Sequence, residues 1–449
     1  MRIALLQKQK KELMRIKNKK PKTWRKVKFG DFIENPLGGD WGQDKPGGDF
    51  TVEVYAIRGT DIPSIQAGDF SNFRTRYIKE SSLTKRLLEE GDVVMEISGG
   101  SKGQPVGRPL LISRSMLQKL DKPLIYSNFC RRLRTKKEND PNYLYFQLLK
   151  FYSSPEVYSY QTQSTGISNF HFSDFVEYKQ IPRPDKHAQE EIGKILSTFD
   201  DKIELNNKIS RTLEQMARAI FKEWFVKLRF PGHEKAEFVD SELGRIPKGW
   251  EVVNVGMVLR TIESGSRPKG GVDMYKEGIP SIGAENIIGL GKYNYSKTKY
   301  VPVDFFTSMN RGFIKNQDVL LYKDGAEVGR KSFFMEKFPF EKCVINEHVF
   351  ILRSNERISQ IYLYLWLDRR DMTEAIKNLN ANSAQPGINQ EQIQNGLTIL
   401  VPENDVVERF TSSVTPMIRK IFRNALENQK LASIRDLLLP KLMNEGTRV

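Results

Sequence analysis

Cysteine is nearly absent. The 449 residues contain two, Cys130 and Cys343. Two cysteines cannot build a disulfide framework, so a reducing cytoplasm suits the chain best and both read as packed thiols. Histidine is scarce too. The four, His171, His187, His233 and His348, are scattered without HxxxH or CxxC spacing, which excludes the usual zinc sites. No apolar run approaches the roughly 18 residues a membrane span needs. The opening MRIALLQKQKK is basic, but its apolar stretch, residues 3–6, is too short for a signal peptide.

Catalytic motifs are missing as well. A phosphate loop needs GxxxxGK[ST], so that backbone N–H groups surround the phosphates. The nearest glycine cluster, GGSKGQPVGR at 99–108, lacks that spacing. No GxGxxG opens a helix after a strand. The NPPY or DPPY tetrapeptide with which amino-methyltransferases grip a base is absent, and ENPLGG (34–39) has the wrong residues after Pro36. Asp92 and Glu96 suggest a nuclease core, but Ser98 stands where its lysine belongs, and the matching Asp318 is followed by Tyr322. Both aspartates read as turn residues at a strand start.

Charge is plentiful and uneven. The net is +16, but residues 1–28 hold twelve Lys/Arg against Glu12, so they carry +11 and the other 421 residues +5. A basic balance points toward nucleic acid, yet any contact in the body must come from local patches. The N-terminal run reads as a solvated arm, a phosphate-contacting arm, or a helix packed through Ile3, Leu6, Leu13 and Ile16.

The chain is also written twice. Trp24 opens TWRKVKFGDFIE, and Trp250 opens GWEVVNVGMVLRTIE 226 residues later. LLEEGDVVMEISG (87–99) and FIKNQDVLLYKDG (313–325) keep that offset. Gly107-Arg108 then matches Gly329-Arg330, Asn128 matches Asn346, Gly166-Ile167 matches Gly387-Ile388, and Pro182 matches Pro402. The offset settles at 218 in the helical segments, with Ile192 over Phe410, Asn206 over Asn424 and Leu213 over Leu431. A collinear series with a slowly drifting offset marks a duplicated unit.

Each copy begins with short apolar runs that read as strands, such as 52–57, 93–97, 319–322 and 349–352, separated by Gly-rich turns. Each closes with a helix. After Pro182 and Pro184, Asp185 can cap a helix whose apolar residues, Ile192 to Trp224, keep three-to-four spacing. A helix over 186–226 is about 60 Å long at 1.5 Å per residue. A stripe that long usually packs on another long helix. The second helix carries Val406 to Leu438, and Pro416 should kink it or delay its regular start. Asn206 and Asn424 fall inside the apolar seams. Either they pair and fix helix register or they are solvated; their equivalence favours mutual pairing. Trp224, Phe225, Leu437 and Leu438 read as core rather than partner-facing.

With no recognisable catalytic apparatus, the residues describe a binding protein with two quasi-equivalent reading heads. From Trp24 to about Met443 the chain resembles the specificity subunits of type I restriction–modification systems. The carriers are GISNFHFSDFVEYKQIPRPDKHAQEEIGKILSTFDDKIELNNKISRTLEQMARAIFKEWFV (166–226), DSELGRIPKGWEVV (240–253), DVLLYKDGAEVGR (318–330) with INEHVFILR (345–353), and LENQKLASIRDLLLPKL (426–442). The resemblance implies two α/β target-recognition domains in a pseudo-twofold repeat, joined by long antiparallel coiled-coil helices that act as a ruler. The expected division is a basic segment 1–23, domains at 24–184 and 231–402, and spacer helices at 185–230 and 403–449. It further implies a prokaryotic cytoplasmic protein that binds double-stranded DNA, two methyltransferase subunits and restriction-translocase subunits. It implies no catalysis and no cofactor of its own, S-adenosylmethionine, ATP and magnesium belonging to those partners. The target is then bipartite and asymmetric.

Base reading needs hydrogen-bonding side chains on loops that can enter a groove. In the first copy Arg58, Thr60, Lys102, Gln104, Arg108, Ser168, Asn169 and His171 qualify. In the second, Glu285, Asn286, Lys323, Arg330, Gln385 and Asn389 do. Asn128 and Asn346 read as structural. Two other classes compete: an enzyme with an unrecognised site, which would methylate alone, and a helical scaffold that binds only proteins.

Overall fold

A computed structural model describes residues 24–70, 72–99, 104–164, 166–379 and 387–444. The chain divides into two compact units, one running to Leu205 and resuming at Lys430, the other spanning Asn206–Gln429. The N-terminal basic segment, Lys102 and Gln385 lie outside the described residues.

The first unit is built on a four-stranded antiparallel sheet in the order Leu37–Gly38, Cys130–Leu133, Val93–Glu96, Pro109–Leu111. Beside it, Val52–Ile57 pairs antiparallel with Arg74–Ile78 and parallel with Leu124–Tyr126. Strand Arg25–Lys28 joins the start of the unit to its end at Gln180–Arg183. The helix Pro141–Tyr152 is capped by Asp140, whose Oδ1 accepts the Tyr143 N–H at 2.8 Å. It buries Tyr143, Leu144, Phe146 and Leu148 against Phe29, Phe32 and Phe175.

The second unit repeats this plan. Leu259–Ser264, Val349–Ser354, Val319–Tyr322 and Lys331–Phe333 form its four-stranded sheet. Ile279–Ile282 again has an antiparallel neighbour, Lys299–Val301, and a parallel one, Val344–Ile345. The helix Gln360–Leu367 has no polar face and is buried all round, as such a sequence requires. Four expected strands therefore stand where the apolar runs lie, with ends shifted by at most two residues.

One match shifts. The look-alike pairs Gly166-Ile167 and Gly387-Ile388 are not structural equivalents. Phe170 N–H donates to Ile97 O at 2.8 Å, and Ile388 N–H donates to Lys323 O at 2.9 Å. Phe170 therefore occupies the place of Ile388, at the offset of 218 already set by the helices. Both are buried, which is what the position demands. Likewise Ser127, not Asn128, corresponds to Asn346: their N–H groups donate to Ile57 O and Ile282 O, at 2.8 and 3.0 Å.

The long helices are Lys186–Phe221, continued by one π turn at Lys222–Val226, and Asn404–Leu442. The second starts at Asn404 and is continuous through Pro416, so the expected delay of its regular start does not occur. In the first unit Ile192 and Leu196 pack with Leu439, Leu442 and Met443, and Asp200 pairs with Arg435. In the second, Ala217 and Phe221 pack with Phe410 and Val414. Contact partners rise in number on one helix as they fall on the other, so in each unit the helix segments run antiparallel. Phe225 is buried and Trp224 and Leu438 are partly so, but Leu437 is 65% exposed, contrary to its reading as core. Among the described residues no helix is long and apolar enough to cross a membrane.

Asn206 and Asn424 are both fully buried. The Asn424 amide donates to Asn206 O at 3.2 Å and Ser210 Oγ at 3.1 Å. The Asn206 amide donates to Asn428 Oδ1 at 2.9 Å and Glu427 Oε2 at 3.2 Å. Ser210 and Asn428 are themselves 218 apart, so each asparagine reaches the residue equivalent to the other's partner.

Candidate nucleic-acid interface

In each unit four stretches of chain meet at one place, held by the same main-chain bonds. The first is a 3-10 turn closed from its own end: Asp61 Oδ2 accepts the Arg58 N–H at 2.9 Å, and Asn286 Oδ1 accepts the Gly283 N–H at 3.1 Å. The second is the end of the central strand. Ile97 N–H donates to Phe129 O at 2.8 Å and Lys323 N–H to His348 O at 3.1 Å. The third is the turn that supplies those carbonyls. The fourth is the returning chain that carries Phe170 or Ile388. In the first unit a Cβ on Gly59 would meet the Glu96 carboxyl, whereas the second unit carries Ala284 at the same place in its turn.

In the first unit, Thr60 is exposed at the centre of the 3-10 turn. Arg58 is held in a two-pronged pair with Asp61, Nε–Oδ2 3.0 Å and Nη2–Oδ1 2.6 Å. Arg108 lies over the Tyr152 ring and donates to its hydroxyl at 2.9 Å. Gln104 is exposed. Strand Ile167–Phe170 alternates outward and inward, so Asn169 faces out and Ser168 is buried. Ser168 therefore cannot present its side chain to a groove. Asn169 stands between Ser98 and Thr162 in the three-stranded sheet, and Ser98 Oγ donates to its Oδ1 at 2.7 Å. His171 Nε2 lies 3.1 Å from Thr162 Oγ1, extending this polar row.

In the second unit, Glu285 takes the place of Thr60 and lies 3.7 Å from Lys299. Asn286 is buried and serves its turn. Asn389 caps the short helix Gln390–Gly396, with Gln392 reciprocating in a capping box. Both therefore act on the backbone. Lys323 lies over the Phe350 ring and 3.6 Å from Asp324, and Arg330 pairs with Glu327 at 3.0 Å. His348, which sequence reasoning missed, sits between Asp324 at 3.0 Å and Glu347 at 3.3 Å, and Glu347 holds Arg267 at 2.8 Å. Phe129 and Ser98 were missed in the first unit. Ser98 has one sequence signal, the offset that sets it over Asp324; Phe129 has none, since the match of Asn128 with Asn346 sets it over Glu347 rather than His348.

Burial shifts three titratable groups near the loops and sheets. Burial raises the Glu96 carboxyl above its ordinary range, and nearby Arg108 opposes the shift only in part. Burial also pushes both thiols, Cys130 and Cys343, up to about 12, so neither is a nucleophile at neutral pH. Among the described residues no His/Cys/Asp/Glu cluster could hold a metal ion.

The family model for the type I restriction modification DNA specificity domain matches twice, at residues 21–215 and 247–432. The chain belongs to this family. Specificity subunits of type I restriction enzymes are similar along nearly their whole length. The MjaIX subunit of Methanocaldococcus jannaschii is 27% identical, covering 96% of this chain and 94% of that one. The HindI subunit of Haemophilus influenzae is 25% identical, covering 86% and 94%. The crystal structure of the type I S subunit from M. genitalium shares the fold, with a TM-score of 0.54 at 15% identity over 95% of this chain and 97% of that one. The protein is thus a specificity subunit with two DNA recognition domains, part of a complex with other subunits and DNA. The enzymes of such a complex are those other subunits.

Proposed function

We propose that this specificity subunit reads a bipartite, asymmetric DNA target, one half through each unit. One observation carries the reading. The two units keep the same main-chain bonds around the loop cluster while the side chains there differ: Thr60 against Glu285, Ser98 against Asp324, Phe129 against His348, Asn169 against Gly387. A shared frame with different exposed groups is what two different half-sites require. Lys102 and Gln385 belong to the same loops by sequence. Arg108 and Arg330 are equivalent and identical, which suits contact with phosphate, the part of DNA that does not vary.

Two methyltransferase subunits dock on the long helices and restriction-translocase subunits join them. S-adenosylmethionine, ATP and magnesium are bound by those partners, which flip and methylate an adenine in each half-site. The exposed Leu205, Ile434 and Leu437 of the first unit support a docking role. The test is modification mapping. This chain is co-expressed with its methyltransferase partner in a methylation-free host, and the genome is sequenced for N6-methyladenine. A single two-part motif with a fixed gap, lost when the chain is omitted, is expected. Methylation by the chain alone, or no salt-dependent DNA binding by the complex, would overturn the reading.

A further inference from the structure

We infer that Phe129 is a base-reading residue of the first unit, and that it recognises the C5-methyl group of a thymine in the major groove. The inference rests on the DNA-reading role above and names the chemistry of one contact within it.

Phe129 is 54% exposed and makes no ring contact among the described residues. A single exposed apolar side chain is ordinary; three further observations make this one different. First, its turn is fixed. Phe129 O accepts the N–H groups of Ile97 at 2.8 Å and Ser98 at 3.3 Å, Ser127 N–H donates to Ile57 O at 2.8 Å, and Cys130 N–H donates to Ser127 O at 2.9 Å. Second, the core beside its turn is already filled: Ser127 and Cys130 are fully buried, and Cys130 packs in one cluster with Ile57 and Tyr126. Third, its neighbours across the strand end are the polar row of Ser98, Asn169 and Thr162. An apolar ring carried on a fixed turn beside hydrogen-bonding groups matches the thymine edge, which shows a methyl group next to an oxygen acceptor.

The second unit supplies the contrast. His348 stands at the equivalent place, its side chain 42% exposed, with its carbonyl in the equivalent bond to Lys323 N–H. Its neighbours are Asp324 and Glu347. That position offers hydrogen bonds and charge, so at this place methyl reading belongs to the first unit alone.

The experiment uses the assembled methyltransferase complex and duplexes of its mapped target. Each thymine is replaced in turn by deoxyuridine, which removes only the methyl group. The wild-type complex should lose affinity roughly three- to fivefold at one thymine of the first unit's half-site, the scale of one buried methyl group. Phe129→Ala should bind the thymine duplex as weakly as wild type binds the deoxyuridine one, and should not respond to the replacement. Phe129→Leu should keep part of the response. Thermal unfolding of the complex should be unchanged in both variants. A first-unit half-site without thymine overturns the inference, as does an undiminished deoxyuridine response in Phe129→Ala. Equal weakening on every duplex, nonspecific ones included, also overturns it, because it marks a wedge or a folding defect. A wild-type complex without any sequence preference would instead sink the DNA-reading role itself.

Discussion

Arg134 donates two hydrogen bonds to Asp92, at 2.7 and 2.8 Å, and in the second unit Arg353 donates two to Asp318, both at 2.7 Å. Each aspartate also accepts a turn N–H, from Glu89 at 2.8 Å or Lys315 at 2.7 Å. These are the turn residues the sequence suggested, but each is also the buried half of an ion pair. Arg353→Ala leaves the Asp318 carboxylate buried and unpaired. It should destabilise the second unit by about 3–5 kcal/mol, and Asp318→Asn combined with Arg353→Met should recover much of that. Urea unfolding of the three proteins checks the order.

Asn424→Ala removes two hydrogen bonds inside a closed helix seam and should cost about 1–3 kcal/mol. Asn424→Leu should cost less, because a seam asparagine is held for register more than for stability. Equal losses in thermal unfolding would contradict this.

Lys331 is buried, donates to Thr373 Oγ1 at 2.6 Å, and has its ammonium pushed down to about 8 by burial, with Asp368 opposing. The folded state therefore releases this proton more readily than the unfolded chain, whose lysine titrates near 10.5. Above that range both states are neutral and the contribution is fully present. It is lost as pH falls from about 10.5 to about 8, below which both are charged. Unfolding free energy measured across that window should rise with pH in wild type. Lys331→Met should flatten the slope; an unchanged slope would assign it to another group.

Ile434 and Leu437 lie three residues apart on one helix face, 46% and 65% exposed. Leu437→Glu should leave unfolding within roughly 0.5 kcal/mol of wild type and weaken capture of the methyltransferase subunit in a pull-down. A destabilised protein with normal capture would return Leu437 to the core.

The repeat, the strands and both long helices were legible because each is a periodic or collinear pattern. Val52–Ile57 and Val319–Tyr322 stand where the apolar runs are. The site was legible only as a set of loops. Ser168 and Asn286 look like groove-facing polar residues, but one falls on the inward side of a strand too short to show alternation, and the other closes its own turn. Phe129 and His348 carry no local signal. Their significance comes from a carbonyl bonded to a strand more than twenty residues earlier, which only the folded chain reveals. Gly166-Ile167 misled because a repeated dipeptide imitates equivalence, whereas hydrogen-bond register decides it.

The most direct test of the two-reader account is to exchange residues 24–182 for those of another specificity subunit, then map N6-methyladenine with the same methyltransferase partner. The account predicts that one half of the motif changes while the other half and the gap persist. A motif altered in both halves, or in neither, would contradict the assignment of one half-site to each unit.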